Sequence, residues 1–284
     1  PHACASLYRI LKNLIKKKKK INETELLISL LNKAPLNKDA FLQIAAKIDE
    51  LSDVDISQVE NWCALGLELC EQNGVISLAT NKRELCKQEF CVVDIETTGS
   101  INSGQIIEIG AIKLINGEQT GAFSTLIYAD CVPQVITELT GLSANDLIGA
   151  PSLAYALKNF RDFLGDCVFV AHNVRFDYGF ISKSLVDLGY PPLLNRALCT
   201  VELAKRCIAS QRYKLNILKE LLGIENIHHR AFSDAISAAE ILKYCILKLP
   251  WSVQSVEDLI FFSKSAPSMQ IEPKIEPLNQ INFN

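Results

Sequence analysis

Phe90-Cys91-Val92-Val93-Asp94-Ile95-Glu96-Thr97-Thr98-Gly99 puts two carboxylates two residues apart at the end of an apolar run. The run Phe90–Val93 reads as a buried strand. Side chains alternate along a strand, so Asp94 and Glu96 share one face. Neighbouring carboxylates repel one another and resist leaving water, so the pair is destabilising unless a cation holds it. Hard divalent ions such as Mg²⁺ take oxygen ligands. The stretch therefore predicts a metal site on a strand.

The surrounding chain has 284 residues, 49% of them hydrophobic, which is enough for one large domain or two smaller ones. Its net charge of −3 provides no global basic field, although local positive charge and bound cations can still attract nucleic acid. The ten cysteines are scattered without a C-x-x-C pair, and two of the four histidines are the adjacent His228 and His229. This excludes a zinc site and a disulfide framework, and predicts reduced, mostly buried thiols in a cytoplasmic protein. No apolar run is long enough to span a bilayer, and no signal-peptide core is present.

Three regions follow from the patterning. Residues 1–88 read as a mainly helical unit. It contains the run Lys16–Lys20, a solvated stretch or a phosphate-contacting tag. Helical spacing recurs over 25–31, 40–48 and 59–72, where Asn73-Gly74 would stop the third helix, and 75–83 reads as a small hairpin. Three helices and a hairpin are the parts of a winged helix, or of a helical protein-contact module. Residues 89–250 change to strands. The segment 105–115, the Asn116-Gly117 turn and 120–128 form a hairpin beside the first strand. Helices are predicted at 153–164, 176–188, 201–209, 215–222 and 231–249, and strands at 167–171 and 197–200. The class is α/β, with three antiparallel strands followed by parallel ones, flanked by helices. Residues 251–284 read as one more helix, at 256–262, and a flexible tail.

Two further acids stand at strand ends or helix starts. Asp177 lies in Ala171-His172-Asn173-Val174-Arg175-Phe176-Asp177, and Asp234 in His229-Arg230-Ala231-Phe232-Ser233-Asp234. Either alone is an ordinary helix-start acid. Together with Asp94 and Glu96 they make four acids, a set able to hold two Mg²⁺ ions about 4 Å apart for in-line displacement at phosphorus. A histidine, with an ordinary pKa near neutral, suits removal of a proton from water, and His229 is the candidate.

These motifs resemble the DnaQ-like 3′–5′ exonucleases of the DEDDh branch. Asp94-Ile95-Glu96-Thr97-Thr98-Gly99 matches the first motif. Ala171-His172-Asn173 with Phe176-Asp177 and Phe180 matches the second. His229-x-Ala231-x-x-Asp234 matches the third, where the related DEDDy branch has Tyr in place of His. Ile107-Glu108-Ile109-Gly110-Ala111 and Leu139-Thr140-Gly141-Leu142 fit family positions too. The match covers about residues 88–250 and leaves the N-terminal region outside.

The resemblance implies an RNase H-like fold. It makes Asp94, Glu96, Asp177 and Asp234 ligands of two divalent ions, Mg²⁺ or Mn²⁺, and His229 the general base. It places Thr97 against the terminal nucleotide. Thr140 is a further substrate candidate, since many proofreading subunits have His-Gly where this chain has Thr140-Gly141. Phe176 is either a wedge against a base or part of the core. His172 is structural and His228 a bystander. The implied activity removes nucleoside 5′-monophosphates from single-stranded DNA 3′ ends, and the implied partner is the catalytic subunit of a bacterial DNA polymerase III. Thr97 after Glu96, where oligoribonucleases have Met, favours this polymerase-associated branch. The alternatives are a stand-alone exonuclease for DNA repair or RNA 3′ ends, and a polymerase-binding scaffold with vestigial activity.

Overall fold

A computed structural model describes residues 23–225 and 230–271 of the chain. The run Lys16–Lys20, His228, His229 and residues 272–284 lie outside the described residues. The N-terminal part contains α1 (Glu23–Lys33), β1 (Leu36–Asn37), α2 (Lys38–Ala45), α3 (Val59–Ala64), β2 (Leu69–Gln72) and β3 (Val75–Leu78). Its strands form an antiparallel sheet in the order β1-β3-β2.

This part corrects the expected third helix, which stops at Ala64 instead of running to Gln72. Gly66 takes φ of +97°, a conformation that ends the helix. Leu69 then starts a strand. Asn73 and Gly74, both with positive φ, form the hairpin turn between β2 and β3 rather than a helix stop. The expected return strand at 79–83 is a 3₁₀ turn over Ala79–Asn81. Leu27, Leu31, Phe41, Trp62, Ile76 and Leu78 are buried at the centre of this unit.

The second sheet is the scaffold of the molecule. It contains β4 (Glu89–Thr97), β5 (Ile106–Ile115), β6 (Glu118–Leu126), β7 (Val168–Ala171) and β8 (Ala197–Cys199), in the order β6-β5-β4-β7-β8. The first three strands are antiparallel, whereas β4, β7 and β8 run parallel, as expected from the sequence. Asn116 and Gly117 make the β5–β6 turn, both with positive φ. The helices are α4 (Gln134–Thr140), α5 (Leu153–Leu164), α6 (Val174–Asp187), α7 (Thr200–Cys207), α8 (Leu215–Leu222), α9 (Ala231–Ile246) and α10 (Val256–Ser265). The sequence reading assigned no element to α4.

Period-2 alternation sorts β4 between two cores. Phe90 and Val92 pack with α7, α8, α9 and α10. Cys91, Val93 and Ile95 pack with α5 and α6 on the other face. The sheet is thus sandwiched between helical layers. Asp94 and Glu96 continue the Phe90–Val92 face and so look toward the α9 layer. The N-terminal unit docks on this body. Leu194 is buried in its core and donates its amide to Leu65 O at 2.9 Å. Thr80 Oγ1 donates to Glu257 on α10 at 2.8 Å.

Candidate active site

The site forms where β4 runs past its parallel neighbour. Pairing of β4 with β7 extends only to Val92↔Val170, so the last turns of β4 project beyond β7. On its other side β4 stays paired with β5, with Asp94 opposite Gly110 and Glu96 opposite Glu108. A bulge between Glu96 and Thr97 then ends the regular register.

Gly110 sets the position of α9. A Cβ there would stand 2.1 Å from Phe232 N and 2.3 Å from the Ala231 carbonyl carbon, so only glycine lets the α9 start rest on β5. This close approach delivers Asp234, in the first turn of α9, to the Asp94–Glu96 face. Carboxylate oxygens of Asp94, Glu96 and Asp234 all lie within 4.8 Å of one another. Asp177 arrives from the first turn of α6. It is buried, and its carboxylate accepts from the Ile95 amide and from its own. Asn173, in the left-handed conformation at φ +82°, turns the chain from β7 into α6.

Burial and mutual repulsion of the acids dominate the electrostatics of the site. Burial first, then the charges of Asp177, Glu96, Asp234 and Glu108, hold the Asp94 carboxyl well above the usual carboxylate range. Burial, Glu108 and Asp234 push Glu96 up to about 7, against a smaller opposing effect of Arg230. Asp177 is raised to about 8, chiefly by burial. Each group is pushed toward its neutral form, as burial and then neighbouring carboxylates act on an acid. The donor set is all carboxylate oxygen, which fits a hard divalent ion.

Of the other expected site residues, Thr97 is buried and its Oγ1 donates to Gly99 O at 2.9 Å, holding the turn after the acidic pair. Phe176, next to Asp177, is 37% exposed, with its ring edge-on to Phe180 at 5.7 Å. Thr140 is buried at the end of α4. Its hydroxyl donates to Ile136 O at 2.9 Å and accepts from Leu142 N at 3.1 Å, which ties it to the turn. His172 matches its expected structural part. Its ring bridges Thr200 Oγ1 at 2.8 Å and Tyr213 O at 2.9 Å, and burial lowers its pKa to about 4.

Two residues near the acids had no assigned part in the sequence reading. Glu108, 2% exposed, takes Arg230 Nη2 at 2.8 Å and Nε at 3.1 Å, and accepts from Ala231 N at 3.1 Å. It therefore clamps the residue after His229 and the first turn of α9. Its signal was an acid inside the apolar run Ile106–Ile109. Lys219 on α8 is 2% exposed and lies 3.9 Å from Asp234 Oδ1. Its signal was a lysine within the apolar helix Leu215–Leu222.

The chain is similar to known proteins in sequence and fold. An exonuclease family profile, RNase T, matches residues 91–242. The DNA polymerase III PolC-type protein of Clostridium perfringens is 41% identical over 212 residues, which is 73% of this chain and 14% of that polymerase. The DNA polymerase III subunit epsilon of Aquifex aeolicus is 35% identical over 156 residues, covering 54% of this chain and 77% of that subunit. Among solved structures, exonuclease X in complex with 5′ overhanging duplex DNA has a TM-score of 0.51 at 21% identity, over 61% of this chain and 99% of that one. Escherichia coli exonuclease I in complex with a dA16 oligonucleotide has 0.53 at 17%, over 58% and 42%. The two structures share the fold, an RNase H-like mixed sheet between helices. With the family profile spanning more than half of its length and the acidic motifs converging on one sheet end, the chain belongs to the DnaQ-like exonuclease family, with polymerase III epsilon and PolC-type proteins among its relatives.

Proposed function

We propose that the protein is a 3′–5′ exonuclease that hydrolyses the terminal phosphodiester of single-stranded DNA and releases nucleoside 5′-monophosphates. In this reading it proofreads for a bacterial DNA polymerase III in the cytoplasm. The observation that carries it is the convergence of Asp94, Glu96 and Asp234, with Asp177 close enough for its charge to raise Asp94. Among the described residues no helix is long and apolar enough to cross a membrane.

Asp94, Glu96, Asp177 and Asp234 would hold two divalent cations, Mg²⁺ or Mn²⁺. When bound, such ions supply a low-pKa water and charge stabilisation at phosphorus. The chain's own residues do the rest. Glu108 and Arg230 anchor the end of the segment that carries His229, which takes the proton of the attacking water. Thr97 closes the turn beside the terminal nucleotide. Phe176, exposed beside Asp177, would meet a base with its ring. The division into residues 1–88, 89–250 and 251–284 is part of this proposal. The order α1-β1-α2-α3-β2-β3 with sheet order β1-β3-β2 supports a winged-helix-like first unit.

The experiment is hydrolysis of 3′-ending single strands, labelled at the 5′ end, with Mn²⁺ or Mg²⁺. Wild-type protein should shorten DNA stepwise, and Asp94→Ala should lower the rate about 10²–10³-fold or more. Equal rates for the two proteins would refute the site. Preference for an RNA end would replace proofreading with an RNA-directed role, and co-purification with a polymerase catalytic subunit tests the assembly.

A further inference from the structure

Lys219 has surroundings unlike those of Lys214, the lysine just before its helix. Lys214, just before α8, is exposed, and so are Asn216 and Glu220. Lys219 instead points inward with Leu218, its side chain 3% exposed. Taking an ammonium out of water is strongly unfavourable unless opposite charge compensates it. Its Nζ lies 3.9 Å from Asp234 Oδ1, and Asp234 is itself only 10% exposed. That separation is a contact between charges, longer than a hydrogen bond. Asp234 in turn shares the carboxylate cluster with Asp94 and Glu96.

We propose that Lys219 is a positioning residue of this cluster, a built-in monocation that anchors Asp234 and weakens the binding of divalent cations there. The proposal rests on the reading of the cluster as a metal site. Four acids gathered at one sheet end repel one another, and a fixed positive charge at their edge lets them assemble before any ion arrives. The same charge repels an incoming dication, so the site binds it less tightly than the acids alone would. Lys219 touches neither water nor phosphate in this scheme. It acts through Asp234.

The test is Mn²⁺ binding measured by calorimetry at low ionic strength, without DNA, on the full chain. Lys219→Met removes the charge and keeps the stem, and should tighten Mn²⁺ binding about tenfold. Lys219→Arg keeps the charge and should stay within about twofold of wild type. Thermal unfolding in EDTA reports whether each variant folds. If Lys219→Met fails to fold, the double variant Lys219→Met/Asp234→Asn, which removes both charges, should fold again. Unchanged or weaker Mn²⁺ binding by a folded Lys219→Met overturns the inference, as does an equal shift in Lys219→Arg or a double variant that stays unfolded. Wild-type protein that binds no Mn²⁺ overturns the metal-site reading as well, whereas wild-type binding with Lys219→Met unchanged overturns only the part assigned to Lys219.

Discussion

Glu96 and Asp177 link the site to stability through their protons. In the unfolded chain these groups titrate near 4.5 and 3.8, whereas the folded, metal-free protein holds them at about 7 and about 8. Between those limits the folded state binds more protons than the unfolded one, so stability falls as pH rises through the window. Calorimetric melting in EDTA should therefore give a lower Tm at about pH 8 than at about pH 5. Adding Mn²⁺ at the higher pH should restore the loss, because an ion bound only by the folded state stabilises it. Asp94→Asn, which removes one charge from the cluster, should flatten the slope. A Tm that rises over that range, with Mn²⁺ without effect, would contradict the assignment of these acids. The acids themselves were legible as residues, since carboxylates at i and i+2 of a strand share a face whatever surrounds them. The partner of Glu108 was not legible, because Arg230 lies 122 residues away and meets it only through the β5–α9 contact.

At the scale of elements, the contact between Gly110 and the α9 start decides whether the acids meet. Gly110→Ala would force a Cβ into the Ala231–Phe232 backbone, which cannot yield as a flexible side chain would. Overpacking of this kind costs about 1–3 kcal/mol, readable by denaturant unfolding. The displacement of α9 carries Asp234 with it, so nuclease activity should fall about 10²-fold even in protein that remains folded. Full activity in Gly110→Ala would show that α9 has freedom the packing does not suggest. Most elements of this domain were legible from periodicity and turns. Leu153–Leu164 and Leu215–Leu222 have the expected limits. The failures occurred where local signals conflict. Helical spacing continues past Ala64 in residue type, but the positive φ of Gly66 and the pairing of Leu69 with Leu78 override it.

For the whole molecule, the N-terminal unit and the exonuclease domain share a buried joint, which predicts that they unfold together. Leu194 belongs to the exonuclease domain by sequence and to the N-terminal core by packing. A Cβ on Gly66 would fall 2.0 Å from Asn195 Oδ1, so the two units also touch backbone to side chain. Glu257, which accepts from Thr80 of the N-terminal unit, ties that unit to Arg196 of the main domain. Arg196 and Glu257 pair at 2.6 Å, and although burial works to raise the Glu257 pKa, its hydrogen bonds and the Arg196 charge hold it below the ordinary value. Leu194→Ala should remove about 2–5 kcal/mol and shift a single unfolding transition without splitting it. Two separate transitions in urea would mean that the units fold independently. This joint was invisible in the sequence, since its residues carry no periodic or motif signal that pairs them. The sequence by itself determined the class of fold and the identity of the acids, because alternation, turn residues and carboxylate spacing are local consequences of backbone geometry. Only the tertiary structure decided that Glu108 clamps Arg230, that Lys219 stands behind Asp234, and that the N-terminal unit rests on Leu194. Such pairings depend on which distant segments a glycine or a buried side chain allows to meet.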